Sequence, residues 1–154
     1  MSKVYLAHSI ATTGEFNHSI ETAKKIMKLG YEVYAPALNN AINDKSNNPT
    51  PTDIYNGDVS EILSSDYVVV NVNGGTQDGT ISEIGLVAGL NECGRDIPII
   101  AYTSNKRLLQ PQFYQGIASA SANHLVLGMI EKWGSFVGSE EDMLKRLECI
   151  PKWD

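Results

Sequence analysis

The chain has 154 residues, 42% of them hydrophobic and 19% charged, with a formal net charge of −6. Those values suit one globular domain spanning residues 1–154 and exclude a general nucleic-acid binder, which needs a basic stripe against phosphate. No apolar run reaches membrane-spanning length and no signal-like segment opens the chain, so a cytoplasmic protein without a membrane partner is expected.

Taken in chain order, Val4–Ala7 reads as a buried strand, followed by a small polar loop from Ile10 to Gly14. An amphipathic helix starts at Glu15, places Ile20, Ala23, Ile26 and Met27 on one face, and stops at Gly30. Tyr31–Ala35 is the second strand. Residues 38–51, rich in Asn, Asp, Ser and Pro, read as a long loop able to close over a ligand. Thr52 is a candidate cap for a helix over Asp53–Ser64, with Ile54, Val59, Ile62 and Leu63 towards the core. Tyr67–Val72 is an apolar run of the kind found in central parallel strands. A helix over Thr80–Cys93 and a strand over Ile97–Tyr102 come next. Beyond Pro111 the pattern predicts a helix over Gln112–Ala120, a fifth strand over His124–Leu127 and a helical piece over Met129–Trp133. Ser139–Asp142 opens a last helix that ends near Cys149.

Strands alternating with helices imply an α/β fold, a doubly wound five-stranded parallel sheet of flavodoxin-like or Rossmann-like type in the order 2-1-3-4-5. In that order the ends of the first and third strands lie side by side, so His8, Ser9, Gly74, Gly75, Asp78 and Glu83 converge on one crevice. Cys93 and Cys149 are far apart and read as partly buried thiols. Neither they nor His8, His18 and His124 show metal-ligand spacing, so no metal is expected.

The turn Gly74-Gly-Thr-Gln-Asp-Gly79 has neither a dinucleotide fingerprint nor a P-loop, and no Gly-x-Ser-x-Gly element occurs. Carboxylates remain. Thr80-x-x-Glu83 fits a capping box, and Asp78 fits an N-cap. The same positions also fit chemistry. A carboxylate in the first turn of a helix is held ionised by the macrodipole and suits attack on a sugar carbon with oxocarbenium character. Asp78, on the turn, would serve as the acid to a leaving group if its proton were retained or shared. Spacing alone leaves both readings open.

Tyr5 in the first strand, Asp58-x7-Asp66 leading into the third, and Asp78-Gly-Thr-x-x-Glu83-Ile-Gly85 together resemble the nucleoside 2-deoxyribosyltransferases, over roughly residues 3–102. The resemblance implies transfer of a 2-deoxyribosyl group between nucleobases by double displacement, without a cofactor. Glu83 would attack C1′, Asp78 would protonate the departing base, Tyr5 would orient Glu83, and Asp58 would be a second acid on the base side. Asp66 has no chemical role implied. His8, Ser9 and Gly75 are candidates at the substrate and Phe16 a candidate to stack on the base, the alternatives being a satisfied strand-end role for His8 and core packing near the start of the first helix for Phe16. The partners implied are a nucleoside, a nucleobase and further copies of the chain. The family's cross-subunit asparagine has no match in Leu108–Gln115, and Asp154 would stand in for its C-terminal contribution. Two rivals remain open: an N-glycosidase acting on nucleosides or nucleoside 5′-monophosphates, suggested by Ala7-His8-Ser9-Ile10, and a non-catalytic nucleotide sensor on the same fold.

Overall fold

The structure, a computed structural model, describes residues 1–75 and 77–151. Its elements run β1 (Lys3–Ala7), α1 (Thr13–Lys28), β2 (Glu32–Tyr34), a 3-10 turn (Pro36–Leu38), α2 (Asn40–Asn43), a second 3-10 turn (Lys45–Asn47), α3 (Pro51–Leu63), β3 (Tyr67–Asn71) and α4 (Asp78–Glu92). β4 (Ile99–Tyr102), α5 (Lys106–Leu109), β5 (Phe113–Tyr114), β6 (Ile117–Ala118), α6 (His124–Trp133), β7 (Gly134–Gly138) and α7 (Glu140–Glu148) complete the chain.

The five-stranded sheet has the order β2-β1-β3-β4-β7, and every pairing in it is parallel. Alternate residues of each strand project to opposite faces. Tyr5, Ala7, Val68, Val70 and Ile99 join Ile62 of α3, Ile84 and Val87 of α4 and Ile130 of α6 in one core. Val4, Leu6, Val69, Ile100 and Tyr102 join Ala23 and Ile26 of α1 and Met143 and Leu147 of α7 in the other. The α/β class and the first four strands are as the sequence predicts.

The fifth strand is not. Residues 124–127 are helical, because Asn123 caps α6 by accepting from the Leu125 N–H. The sheet is completed instead by β7, which runs so close to β4 that a Cβ at Gly134 would lie 1.8 Å from the Ile99 carbonyl oxygen. The helix expected over 112–120 is an antiparallel hairpin, β5 with β6, turning through Gln115 and Gly116 at φ +48° and +82°. Two successive left-handed residues are what a tight hairpin turn requires and a helix forbids.

Smaller corrections follow from capping and exposure. The polar stretch 38–51 winds into short helical turns. Thr50, not Thr52, caps α3, in a reciprocal box with Asp53. Ser139 and Asp142 do form the box expected of them. Met27 and Leu63 are exposed rather than core, and both cysteines are exposed rather than partly buried. Asp66 accepts the Lys3 backbone N–H at 2.7 Å, a structural role at the entry to β1. Among the described residues, no helix is long and apolar enough to cross a membrane.

Candidate active site

Because Ala7 pairs with Val70, the loops leaving β1 and β3 emerge together at the carboxyl edge of the sheet. That edge is the topological switch point where open α/β sheets hold ligands. A cavity of about 420 Å³ opens there, of a size that suits a small organic ligand. One wall is His8, Ser9, Ile10 and Ala11 from the β1 loop. A second is Gln77, Asp78, Gly79, Thr80 and Glu83 at the start of α4. The third comes from β2, the polar stretch and α3: Tyr34, Asn39, Ile42, Asn43, Lys45, Ile54 and Asp58 among them.

The turn between β3 and α4 is held by side chains as well as by glycine. Gly74 and Gly75 have φ of +72° and +74°, and a Cβ on Gly74 would meet the Ser121 carbonyl oxygen at 2.9 Å. The buried Gln77 side chain accepts the Asn73 N–H at 2.7 Å and donates to the Asn71 carbonyl at 3.1 Å, clipping the turn shut. Asn105 donates to the Asn73 carbonyl at 2.7 Å, and the Ser104 N–H donates to the Asn73 side-chain oxygen at 2.9 Å, fastening the turn to the end of β4.

Glu83 stands apart from the capping residues. α4 begins at Asp78, behind Gln77, and its start has no side-chain cap. Glu83 is therefore a turn and a half into the helix, the Thr80–Glu83 box does not form, and the macrodipole argument for a low pKa fails with it. Its carboxylate points back to β1, where the Tyr5 hydroxyl donates to Oε1 at 2.5 Å. Burial pushes the Glu83 pKa up to about 8, against the lowering effect of the Tyr5 hydrogen bond and with a further upward push from Asp58. Tyr5 itself is fully buried and stacks on Tyr34 at 5.4 Å between ring centroids. Burial and the neighbouring Glu83 and Asp58 drive its pKa far upward, so it is a hydrogen-bond donor throughout the working pH range.

Asp58 closes the acid cluster. Tyr34 donates to Asp58 Oδ1 at 3.3 Å and accepts from Asn39 at 2.9 Å, so the polar stretch, β2 and α3 are linked across the pocket wall. Burial raises the Asp58 pKa, hydrogen bonds from Tyr34 and Tyr5 oppose that, and Glu61 adds to it. Asp78 is the first residue of α4, exposed to the cavity, and its carbonyl accepts from Ser82 at 2.7 Å.

Of the other residues singled out from sequence, His8 and Ser9 reach the cavity, whereas Gly75 and Phe16 are not among its walls. Gly75 shapes the turn and Phe16 lies half-buried on α1. His8 has no spare nitrogen: Nδ1 meets the Ser9 carbonyl at 2.6 Å and Nε2 meets Nδ1 of His18 at 2.9 Å. Its pKa is lowered, chiefly by burial, which keeps the ring neutral with the proton on Nδ1. Asp154 lies outside the described residues. Tyr34, Asn39, Asn43 and Gln77 were not anticipated as site residues. The crowding of amides between Asn39 and Asn48 was the available signal for two of them.

A family model described as nucleoside 2-deoxyribosyltransferase matches residues 4–141. The chain belongs to the nucleoside 2-deoxyribosyltransferase family. Among solved structures, a conserved protein from Enterococcus faecalis is similar at 26% identity, with a TM-score of 0.78, 96% of this chain covered and 98% of that one. The 2-deoxyribosyltransferase of the psychrotolerant bacterium Bacillus psychrosaccharolyticus shares the fold at 16% identity, with a TM-score of 0.60 and coverages of 97% and 93%. No curated protein matches the sequence. Family membership thus stands on the match across most of the chain, and Asp78, Gly79, Thr80 and Glu83 stand on one wall of the cavity.

Proposed function

We propose that this chain transfers a 2-deoxyribosyl group between nucleobases through a glycosyl ester on Glu83. The observation that carries the reading is the 2.5 Å hydrogen bond from Tyr5 to Glu83 Oε1 at the floor of the switch-point cavity. It fixes one carboxylate oxygen and leaves Oε2 to attack. In the first displacement Oε2 bonds to C1′ as the N-glycosidic bond breaks, and the leaving base takes the bonding pair and a proton from Asp78. In the second, a nitrogen of the incoming base attacks C1′, Asp78 takes its proton, and the Glu83 carboxylate is restored. Asp58, fastened through Tyr34 to Asn39, faces the same space and supports the base.

The high Glu83 pKa is compatible with nucleophilic attack. A carboxylate in a poorly solvated site interacts strongly with the positive charge that grows on C1′, and that charge in turn favours the ionised form. Intact-mass spectrometry with a 2-fluoro-2-deoxynucleoside tests the reading: a sugar adduct is expected on the wild type and none on Glu83→Ala. Tight nucleoside binding with no adduct would instead assign a sensor. Incubation of deoxyadenosine with and without cytosine separates the remaining fates of the ester. Exchange that depends on cytosine supports transfer, and free adenine with no exchange assigns hydrolysis.

A further inference from the structure

His8 stands in the cavity wall at the end of β1, and its ring begins a chain of polar groups that runs to α7. His8 Nδ1 lies 2.6 Å from the Ser9 carbonyl oxygen, which can only accept, so Nδ1 carries the proton. His8 Nε2 is then an acceptor, and Nδ1 of His18, 2.9 Å away, is the donor to it. Nε2 of His18 is left facing Glu140 Oε1 at 3.6 Å. One backbone carbonyl thus sets the direction of every donor along the chain.

The far end is anchored. His18, Thr22 and Lys25 are spaced four and three apart on α1, so they share one face of the helix. All three meet Glu140, the first residue of α7: the Thr22 hydroxyl donates to Oε1 at 2.5 Å and Lys25 Nζ to Oε2 at 2.7 Å. Burial works against an ionised Glu140, but hydrogen bonds from Lys25 and Thr22 outweigh it and lower its pKa. The buried Tyr102 of β4 lies within reach of the same charge. Neither His18 nor Glu140 is among the cavity walls.

We infer that His18 is a positioning residue: backed by Glu140, it holds His8 as the neutral Nδ1–H tautomer and thereby fixes Ser9 in the cavity wall. The other tautomer would set the His8 Nδ1 lone pair against the Ser9 carbonyl and loosen the β1 loop. A proton added to His8 would bring two N–H groups face to face with His18. It would also put a cation on the wall of a cavity in which positive charge grows on C1′. With its Nδ1 engaged as donor, His18 can take a further proton only on Nε2, beside Glu140. The surroundings of His8 act in the same sense. Burial lowers its pKa most; the Ser9 carbonyl opposes that, His18 adds to it, and Glu15 of α1 and Glu140 oppose it. Asp58, Asp78, Glu83 and Lys45 share the cavity with it. The inference rests on reading the cavity as a deoxyribosyl site and adds to it a residue outside the pocket.

Two readouts on the full chain test it. The chain has three histidines, so an imidazole ¹⁵N NMR titration resolves each ring. Wild-type His8 should read as the Nδ1–H tautomer, neutral from pH 8 to pH 6. His18→Leu should mix the tautomers and let His8 take up a proton at higher pH. His18→Asn, whose amide can donate from nearly the place of the lost Nδ1, should keep the wild-type tautomer. Glu83 titrates in every variant, so deoxynucleoside kcat/KM is compared as the ratio of variant to wild type. That ratio should fall about fivefold from pH 8 to pH 6 in His18→Leu, on the scale of one lost hydrogen bond, and stay level in His18→Asn. A wild-type His8 protonated on Nε2, or a His18→Leu protein with unchanged tautomer and pH ratio, would overturn the inference. So would His18→Asn behaving as His18→Leu does, since the residue would then only fill space. If deoxynucleoside binds without turnover, the proposed chemistry falls, and the NMR titration with the pH dependence of binding still decides the role of His18.

Discussion

Glu15 and Glu83 are both glutamates near the start of a helix that follows a strand of the sheet, and they have been put to opposite uses. Glu15 lies on the surface of α1 with its carboxylate returned to Thr12, and hydrogen bonds from the Thr12 side chain first, then from its backbone and from Ser9, lower its pKa against the opposing effect of burial. Glu83 sits deeper in α4, reaches across to Tyr5, and has its pKa raised to about 8 by burial. The difference does not come from the helix dipole. It comes from how many backbone donors each carboxylate meets and how much water each has lost. A capped carboxylate is stabilised and spent; a desolvated one is held in reserve.

The sharpest way to break this comparison is to exchange the outcomes of deletion. Glu83→Ala should lower nucleoside turnover by roughly 10⁴-fold, as removal of a nucleophile does elsewhere. Glu15→Ala should leave an enzyme that turns over, so comparable losses in steady-state rates would show that the two residues are not distinct. Tyr5→Phe comes next, with a loss of about 10²-fold expected in kcat. Because the Tyr5 hydroxyl favours the charged form of Glu83, its removal should also displace the alkaline-rising limb of kcat/KM to higher pH. A lower rate with an unmoved profile would reduce Tyr5 to packing.

The ionisation of Glu83 carries a stability signature of its own. Its folded pKa of about 8 lies above its ordinary value of 4.5, so the folded protein binds the extra proton between those pH values. Stability from this group is fully present below pH 4.5 and is lost as pH rises to about 8. Denaturant titrations should show that decline in the wild type and its absence in Glu83→Gln, with the variant gaining at alkaline pH. A wild-type decline unaffected by the substitution would assign the proton elsewhere. The smallest effect is expected at the capped glutamate, where Glu15→Ala should cost on the order of 1 kcal/mol in chemical denaturation.

The region between β3 and α4 was more legible than the region after β4. Val68, Val69 and Val70 alternate between two cores, so a nearly continuous apolar run could only be a strand buried on both sides. Glycines followed by a helical pattern then marked the turn. After Pro111 the same reasoning misread a hairpin as a helix and a helix as a strand. Phe113, Tyr114 and Ile117 are each at least 70% exposed, so no buried face imposes a period on that stretch. β7 is equally obscure in sequence, because Gly134–Gly138 is a strand by virtue of fitting closely against Ile99, a property of its neighbour.

Local order of residues determined the alternation of strand and helix, the sheet order of its first four strands and the family resemblance. Those features depend on short-range periodicity and on spacing along the chain. The family resemblance implied that Tyr5 orients Glu83, and the tertiary structure makes that contact between residues 78 positions apart in sequence, while it alone decided the desolvation that raises the Glu83 pKa. It also decided that His8 has both nitrogens engaged and that Phe16 is not among the pocket walls. Hydrogen-bond partners and desolvation are set by residues distant in sequence, so a carboxylate's chemistry is written in the company it keeps after folding.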